Sequence, residues 1–163
     1  MISETVELRS LTDRNEADVR LREFMKRLGY FEDETNSPIN RATAAAWEIM
    51  SNSIERSKGA TVYAEFHGNS RIVKIYIYDH LPFAGDVAQL ETEVAAAIKK
   101  GRNVYEAIAE KQRKENRENA HGGCGIYIAQ TYSDGIMSLP ISYNETSGTK
   151  TIIHIRKDRR KPV

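Results

Sequence analysis

Cysteine is nearly missing from this chain. Cys124 is the one such residue among 163, so no disulfide can form within the chain, and a reducing compartment suits it. Net charge is nearly missing too. The 24 Lys and Arg offset 23 Asp and Glu and leave +1 with histidine neutral, which provides no overall field to hold nucleic acid or an anionic membrane. Apolar runs stop after a few residues, far short of the roughly 20 needed to cross a bilayer. Met1 to Ser10 lacks the basic-then-apolar layout of a secretory leader. No internal repeat and no coiled-coil heptad is present. These absences predict a cytoplasmic protein with neither a nucleic-acid nor a membrane partner.

What is there suits one globular domain over 1–163. The hydrophobic fraction is 40% and the charged fraction 29%, both ordinary for a chain with a proper core. Val6 and Leu8 alternate in a first strand over Thr5 to Arg9. Leu21, Phe24, Met25 and Leu28 recur at helical spacing and mark a helix ending near Gly29. Phe31 to Pro38 is an acidic, turn-rich connection. A second helix is predicted over Ile39 to Ser57, with Gly59 suited to the left-handed position beyond it. Strands at Thr61 to His67 and Arg71 to Asp79 follow, joined by the hairpin signal Gly68-Asn69.

A long polar region comes next. Val87, Leu90, Val94 and Ile98 form one helical stripe; Val104, Tyr105, Ile108 and Ala109 form a shorter one. The second decays into Lys111 to Asn119, which has little to bury and is expected to be mobile. A short helix is predicted over Ile126 to Tyr132, and Met137, Leu139 and Ile141 alternate as a strand. Pro140 sets that strand at an edge or near its end. Gly148 to Arg156 is the last strand, before a basic tail at 157–163. The expected fold class is a two-layer α/β (α+β) sandwich: a mixed, mainly antiparallel sheet with helices on one face.

Four places could carry chemistry. On the second helix, Glu48 and Asn52 lie one turn apart and are neighbours. A carboxylate can polarise water or a hydroxyl, and an amide oxygen can complete the coordination of Mg²⁺. A solvated polar face would look the same. Ser53 and Trp47 fall on the apolar arc of this helix. Asp79 shares a strand face with Val73, Ile75 and Ile77, where a charge is costly without a partner. An adenine amino group is one suitable partner, and a strand-end turn is the plainer account. Gly122, Gly123 and Gly125 precede a helix, where glycines let phosphate approach the backbone and the helix N-terminus offers free N–H groups. Thr149 shares a face with Thr151, Ile153 and Ile155; it could hydrogen-bond a base or serve simply as a β-former. The spacing of His67, His80, His121 and His154 matches no metal motif, and no zinc site is expected.

In this order the four pieces resemble the histidine-kinase-like (GHKL, Bergerat-fold) ATPases. Glu48 and Asn52, within Trp47 to Ser53, match the Glu-x-x-x-Asn of the N-box. Tyr78 to Gly85 sits where the first glycine box belongs, although Asp79 is followed by His80-Leu-Pro-Phe-Ala and Gly85 is the glycine that remains. His121 to Asp134 looks like the second glycine box and its following helix, and Ser147-Gly-Thr149 sits where the family has its Gly-Thr. The single compact domain is most similar to the bacterial anti-sigma-factor serine/threonine kinases. Arg56 stands four residues after Asn52, where such kinases often have His.

The resemblance implies ATP and Mg²⁺ as cofactors. Glu48 would be the general base, Asn52 the Mg²⁺ ligand, and Asp79 the acid that reads adenine. Gly122, Gly123 and Gly125 would cradle phosphate, Arg56 would face it, and Thr149 would support the adenine site. Residues 86–120 would be the lid over the nucleotide. The implied partners are a small antagonist protein, phosphorylated on serine or threonine, and a sigma factor; a homodimer is implied as well. The alternative is a nucleotide-sensing interaction module of the same fold without turnover.

Overall fold

The computed structural model describes residues 1–32, 37–57, 60–80, 96–97, 99–118, 125–143 and 146–158. Within them the chain forms β1 (Ile2–Leu8), α1 (Leu11–Arg27), α2 (Pro38–Arg56), β2 (Val62–Gly68), β3 (Ile72–Asp79), α3 (Val104–Glu118), α4 (Gly125–Tyr132), β4 (Gly135–Tyr143) and β5 (Thr146–Arg156). The strands make one sheet in the order β1-β2-β3-β5-β4. All four ladders are antiparallel, so the described sheet is antiparallel rather than mixed. β4 is an edge strand, which accommodates Pro140 and its missing N–H.

Local chemistry sets the element ends. Asp13 in the first turn of α1 accepts from the backbone N–H of Ser10 (3.2 Å) and Arg9 (2.7 Å), satisfying donors that a helix start leaves open. The helix stops at Gly29, whose φ of +82° suits a residue without Cβ. Pro38 opens α2 behind Ser37, whose Oγ accepts from Asn40 N–H at 3.4 Å. Asn69 closes the β2–β3 hairpin by accepting from the N–H groups of Arg71 and Ile72. Gly59 lies outside the described residues.

One sheet face is the core face. Val6 and Leu8, Ala64 and Phe66, Ile75 and Ile77, and Ile153 and Ile155 are all buried. They meet Leu21, Phe24 and Met25 of α1, Ile39, Ala46 and Met50 of α2, and Ala129 of α4 in one cluster. The helices thus cover one face, as two-layer packing requires. Trp47 departs from the apolar arc assigned to it: it is half-buried, with the Arg14 guanidinium stacked 3.7 Å from its ring centroid.

Arg41 of α2 is buried (2% exposed). Its guanidinium pairs with Asp134 at 3.0 Å and donates to the carbonyl oxygens of Arg156 (2.7 Å) and Tyr132 (3.4 Å). One side chain therefore ties α2 to the end of α4 and the end of β5. The polar stretch after Ala109 also departs from expectation, because α3 runs on to Glu118 instead of decaying. Glu110 pairs with Arg102 (2.7 Å) and Lys114 (3.8 Å), and Gln112 accepts from Tyr127 N–H at 3.0 Å. One ion pair a turn apart, a second to Arg102 ahead of the helix and a bond to α4 support helix there without apolar burial. Among the described residues, no helix is long and apolar enough to cross a membrane.

Candidate functional site

The site begins at the buried end of β3. Asp79 is its last residue and is 5% exposed. Its Cα partner in β5 is Thr149, also 5% exposed. The sheet register thus sets side by side two polar residues that are 70 positions apart (149 − 79). A carboxylate so buried needs hydrogen-bond donors. Ser53 of α2 supplies one, its Oγ donating to Asp79 Oδ2 at 2.9 Å. Ser53 thus lies on the buried arc of α2 as a hydrogen-bond donor, a role that the packing of α2 on the sheet end creates.

At 100° per residue, Asn52 lies about 40° and Ser53 about 140° round the helix from Glu48, in the same sense, so Ser53 and Glu48 leave α2 on well-separated sides. Asn52 and Glu48 are both half-buried. Glu48 approaches the start of α4. A Cβ added to Gly125 would stand 2.5 Å from Glu48 Oε2 and 3.4 Å from its carboxyl carbon. The close approach of that carboxylate depends on the missing side chain at Gly125.

Beside Glu48 is an open groove of about 450 Å³, walled by Arg22 of α1, by Asn40, Thr43, Trp47 and Glu48 of α2 and by Ile128 of α4. Arg22 donates to Asp18 at 3.0 Å, to Asn40 at 3.3 Å, to Thr43 at 3.2 Å and to Glu32. Hydrogen bonds from Lys26 and Arg22 hold the Glu32 carboxyl below its usual range. Glu48 therefore lines this groove and also approaches Gly125.

No protein-family model matches the chain. No significant match to a curated protein is found either.

The structure pairs Asp79 with Thr149 and sets Glu48 against Gly125, and α2 carries Glu48 and Asn52 as well as the Ser53 that bonds Asp79. Arg56 is the last residue of α2, and its side chain lies outside the described parts. Gly85, Gly122 and Gly123 lie outside the described residues, as do 86–95, 98 and 119–120 of the span expected to be a lid. No group of three His, Cys, Asp or Glu side chains suited to a metal converges among the described residues.

Proposed function

We propose that the protein is an ATP-binding regulator with the Bergerat fold of the histidine-kinase-like ATPases. Its closest functional type is the anti-sigma-factor serine/threonine kinase, which phosphorylates a small antagonist protein. The carrying observation is the single helix α2, whose Glu48, Asn52 and Ser53 join the N-terminus of α4 to the buried Asp79–Thr149 pair.

Each position suits a part of a nucleotide. Asp79 is a buried acceptor matched to the donor N–H₂ of adenine, with Thr149 beside it for a second polar contact. The N-terminus of α4 offers N–H groups to phosphate, with a cation needed between that phosphate and the Glu48 carboxylate beside Gly125. Asn52 lies between the two ends and can offer its amide oxygen to Mg²⁺. Mg-ATP supplies the phosphoryl group and neutralises the charge that builds up during its transfer. Glu48 would orient an acceptor hydroxyl and hold its proton, and the groove beside it leaves room for that hydroxyl's chain.

Calorimetry with Mg-ATP tests the binding claim. The expected result is saturable heat in the wild type that is lost in Asp79→Asn; silence at millimolar nucleotide overturns the proposal. Labelled ATP with a candidate antagonist protein tests transfer. Label appearing at undiminished rate in Glu48→Ala overturns the base assignment.

A second reading, nucleotide sensing without turnover, draws on one specific contact. Glu48 directs its carboxylate at the start of α4, the place a terminal phosphate needs. Two anions there repel each other unless a cation intervenes. Under this reading ATP binds, but neither label transfer nor ADP release is detected.

A further inference from the structure

The sheet has a second face that no described helix covers, opposite the buried cluster. Its side chains fall into two lanes. On β2 and β3 each of three successive rows carries an aromatic ring: Tyr63 and Tyr78 in the first, Tyr76 in the second and His67 in the third. On the β3–β5 side stand Lys150 in the first row, Lys74 in the third and Arg156 one row beyond. Tyr76 and Tyr78 stand within 13° of parallel with ring centroids 6.3 Å apart, and His67 meets Tyr76 edge-on at 5.0 Å. Tyr63 is 39% exposed, and the other rings are half-buried.

The charges beside these rings do not cancel. Glu7 is paired with Arg9 at 2.6 Å, and Glu65 is bonded to the His67 ring. Lys74, Lys150 and Arg156 have no acidic partner among the described residues. Lys150 Nζ lies instead 5.7 Å from the Tyr76 ring centroid. Lys74 and Arg156 both act on His154: burial first, and then these two cations, push its imidazole below the ordinary range. Gly135, the β4 residue opposite His154, leaves that spot open, since a Cβ added there would meet nothing within 4 Å. The free charge of this face is therefore positive and lies alongside its rings.

We propose that this face binds single-stranded RNA, with bases stacked on the tyrosines and phosphates held along the cations. Each unit of such a chain brings both a flat ring and an anion, the two features that the lanes present side by side. An acidic peptide would meet the cations but bring no ring to each row. In a duplex the bases are already stacked, and their faces are closed to the tyrosines. Lys150 and Arg156 are six residues apart on β5 (156 − 150), about 20 Å at about 3.3 Å per residue, which is room for two or three nucleotides. One or two strand spacings of about 4.8 Å separate the lanes, within the reach from a base to its own phosphate. The Tyr63 hydroxyl, in the exposed part of the aromatic lane, offers a hydrogen bond to a ribose 2′-OH. A net charge of +1 supplies no long-range attraction, so affinity rests on these short-range contacts and is moderate. Asp79 lies on the opposite, core face of the sheet, and RNA binding here does not depend on the nucleotide site.

Fluorescence anisotropy of a labelled, mixed-sequence RNA strand of about ten nucleotides, titrated with the full chain, tests this, with circular dichroism to verify that each variant is folded. Saturable binding is expected below about 100 μM protein at about 50 mM salt. Three phosphate contacts at about −0.7 each predict a slope of log K against log salt near −2, reduced by about 0.7 in Lys150→Gln. Tyr76→Leu and Tyr78→Leu keep apolar volume but remove the ring, and each should weaken binding by about fivefold or more. Arg113→Gln, exposed on α3 in the helix layer, should leave it within about twofold. The same sequence as a duplex, and a poly-glutamate peptide of equal charge, should bind at least about tenfold more weakly. No binding by about 100 μM overturns the proposal. Equal binding of the duplex or of poly-glutamate also overturns it, since charge alone then suffices. Binding indifferent to the tyrosine and lysine substitutions places the contact elsewhere and overturns it as well. Should the tyrosine variants fail to fold, the salt slope of Lys150→Gln still decides. A DNA strand that binds as tightly as RNA overturns the assignment to RNA.

Discussion

The carboxylate of Glu48 reaches so close to Gly125 that a methyl group there would stand 2.5 Å from Oε2. The atom in the way is the far end of a flexible side chain, so the backbone of α4 need not move. Gly125→Ala is therefore expected to change thermal stability little, by less than about 1 kcal/mol, since Ala also favours helix. Its effect should fall on Glu48, which must swing away from α4. If Glu48 orients an acceptor hydroxyl, label transfer should drop by about tenfold or more while nucleotide affinity changes less. Thermal melts, calorimetry and transfer assays on this one variant check the three parts together.

Asp79 and Ser53 offer a way to separate folding from recognition. Ser53→Ala removes a hydrogen bond to a buried carboxylate and should cost about 1–3 kcal/mol in urea unfolding. Asp79→Asn keeps an oxygen that can accept from Ser53, so its stability cost should be smaller. Yet the amide presents a donor where adenine also presents one. Nucleotide affinity should fall more in Asp79→Asn than in Ser53→Ala, and the reverse order would remove Asp79 from base recognition.

Arg41 predicts the largest stability effect. Arg41→Ala leaves Asp134 without its buried partner and two backbone carbonyls without their donor. A loss of about 3–5 kcal/mol is expected. Arg41→Met fills the space with apolar volume and should be less damaging than Ala. Chemical unfolding of the two variants side by side measures the difference.

Much of the framework was legible because it is periodic. The alternation through Val73, Ile75, Ile77 and Asp79 located both the buried strand face and the acid at its end, and Gly68-Asn69 identified the hairpin. The helical spacing of Leu21, Phe24 and Met25 likewise found the buried side of α1. Single-residue roles were less legible. Ser53 looks like a small filler on an apolar arc until β3 supplies Asp79 beneath it. Arg41 looks like a surface cation until α4 and β5, more than 90 residues later, close around it. Both are long-range pairings, and no local pattern encodes them. The continuation of α3 past Ala109 was missed because its support comes from charge pairs and a contact with α4 rather than from an apolar stripe.

His154 gives an expectation for pH. Burial first, and then the positive charges of Lys74 and Arg156, push its imidazole below the ordinary 6.5, against the opposing pull of Asp134. The unfolded chain therefore binds the proton more readily than the folded one, so stability rises with pH across that interval. Stability should be complete above about pH 6.5 and decline as the pH falls from there towards the depressed folded value. Depression of the Glu32 carboxyl adds a second loss only below about pH 4.5. Melting temperatures at closely spaced pH values should show the first decline in the wild type and its flattening in His154→Gln. An unchanged profile would remove His154 as its source.

The pairing of β3 with β5 has a consequence for the cost of closing the chain. The two strands are bonded from Ile72–Arg156 to Asp79–Thr149, so everything between Asp79 and Thr149 is an excursion whose ends the sheet has already joined. The entropy of closing such a loop grows only with the logarithm of its length, by about 0.6 kcal/mol for each doubling. The β3–β5 ladder therefore costs little more to close across a long excursion than across a short one. Asp79 and Thr149 are held opposite each other by the sheet register, however much chain separates them in sequence.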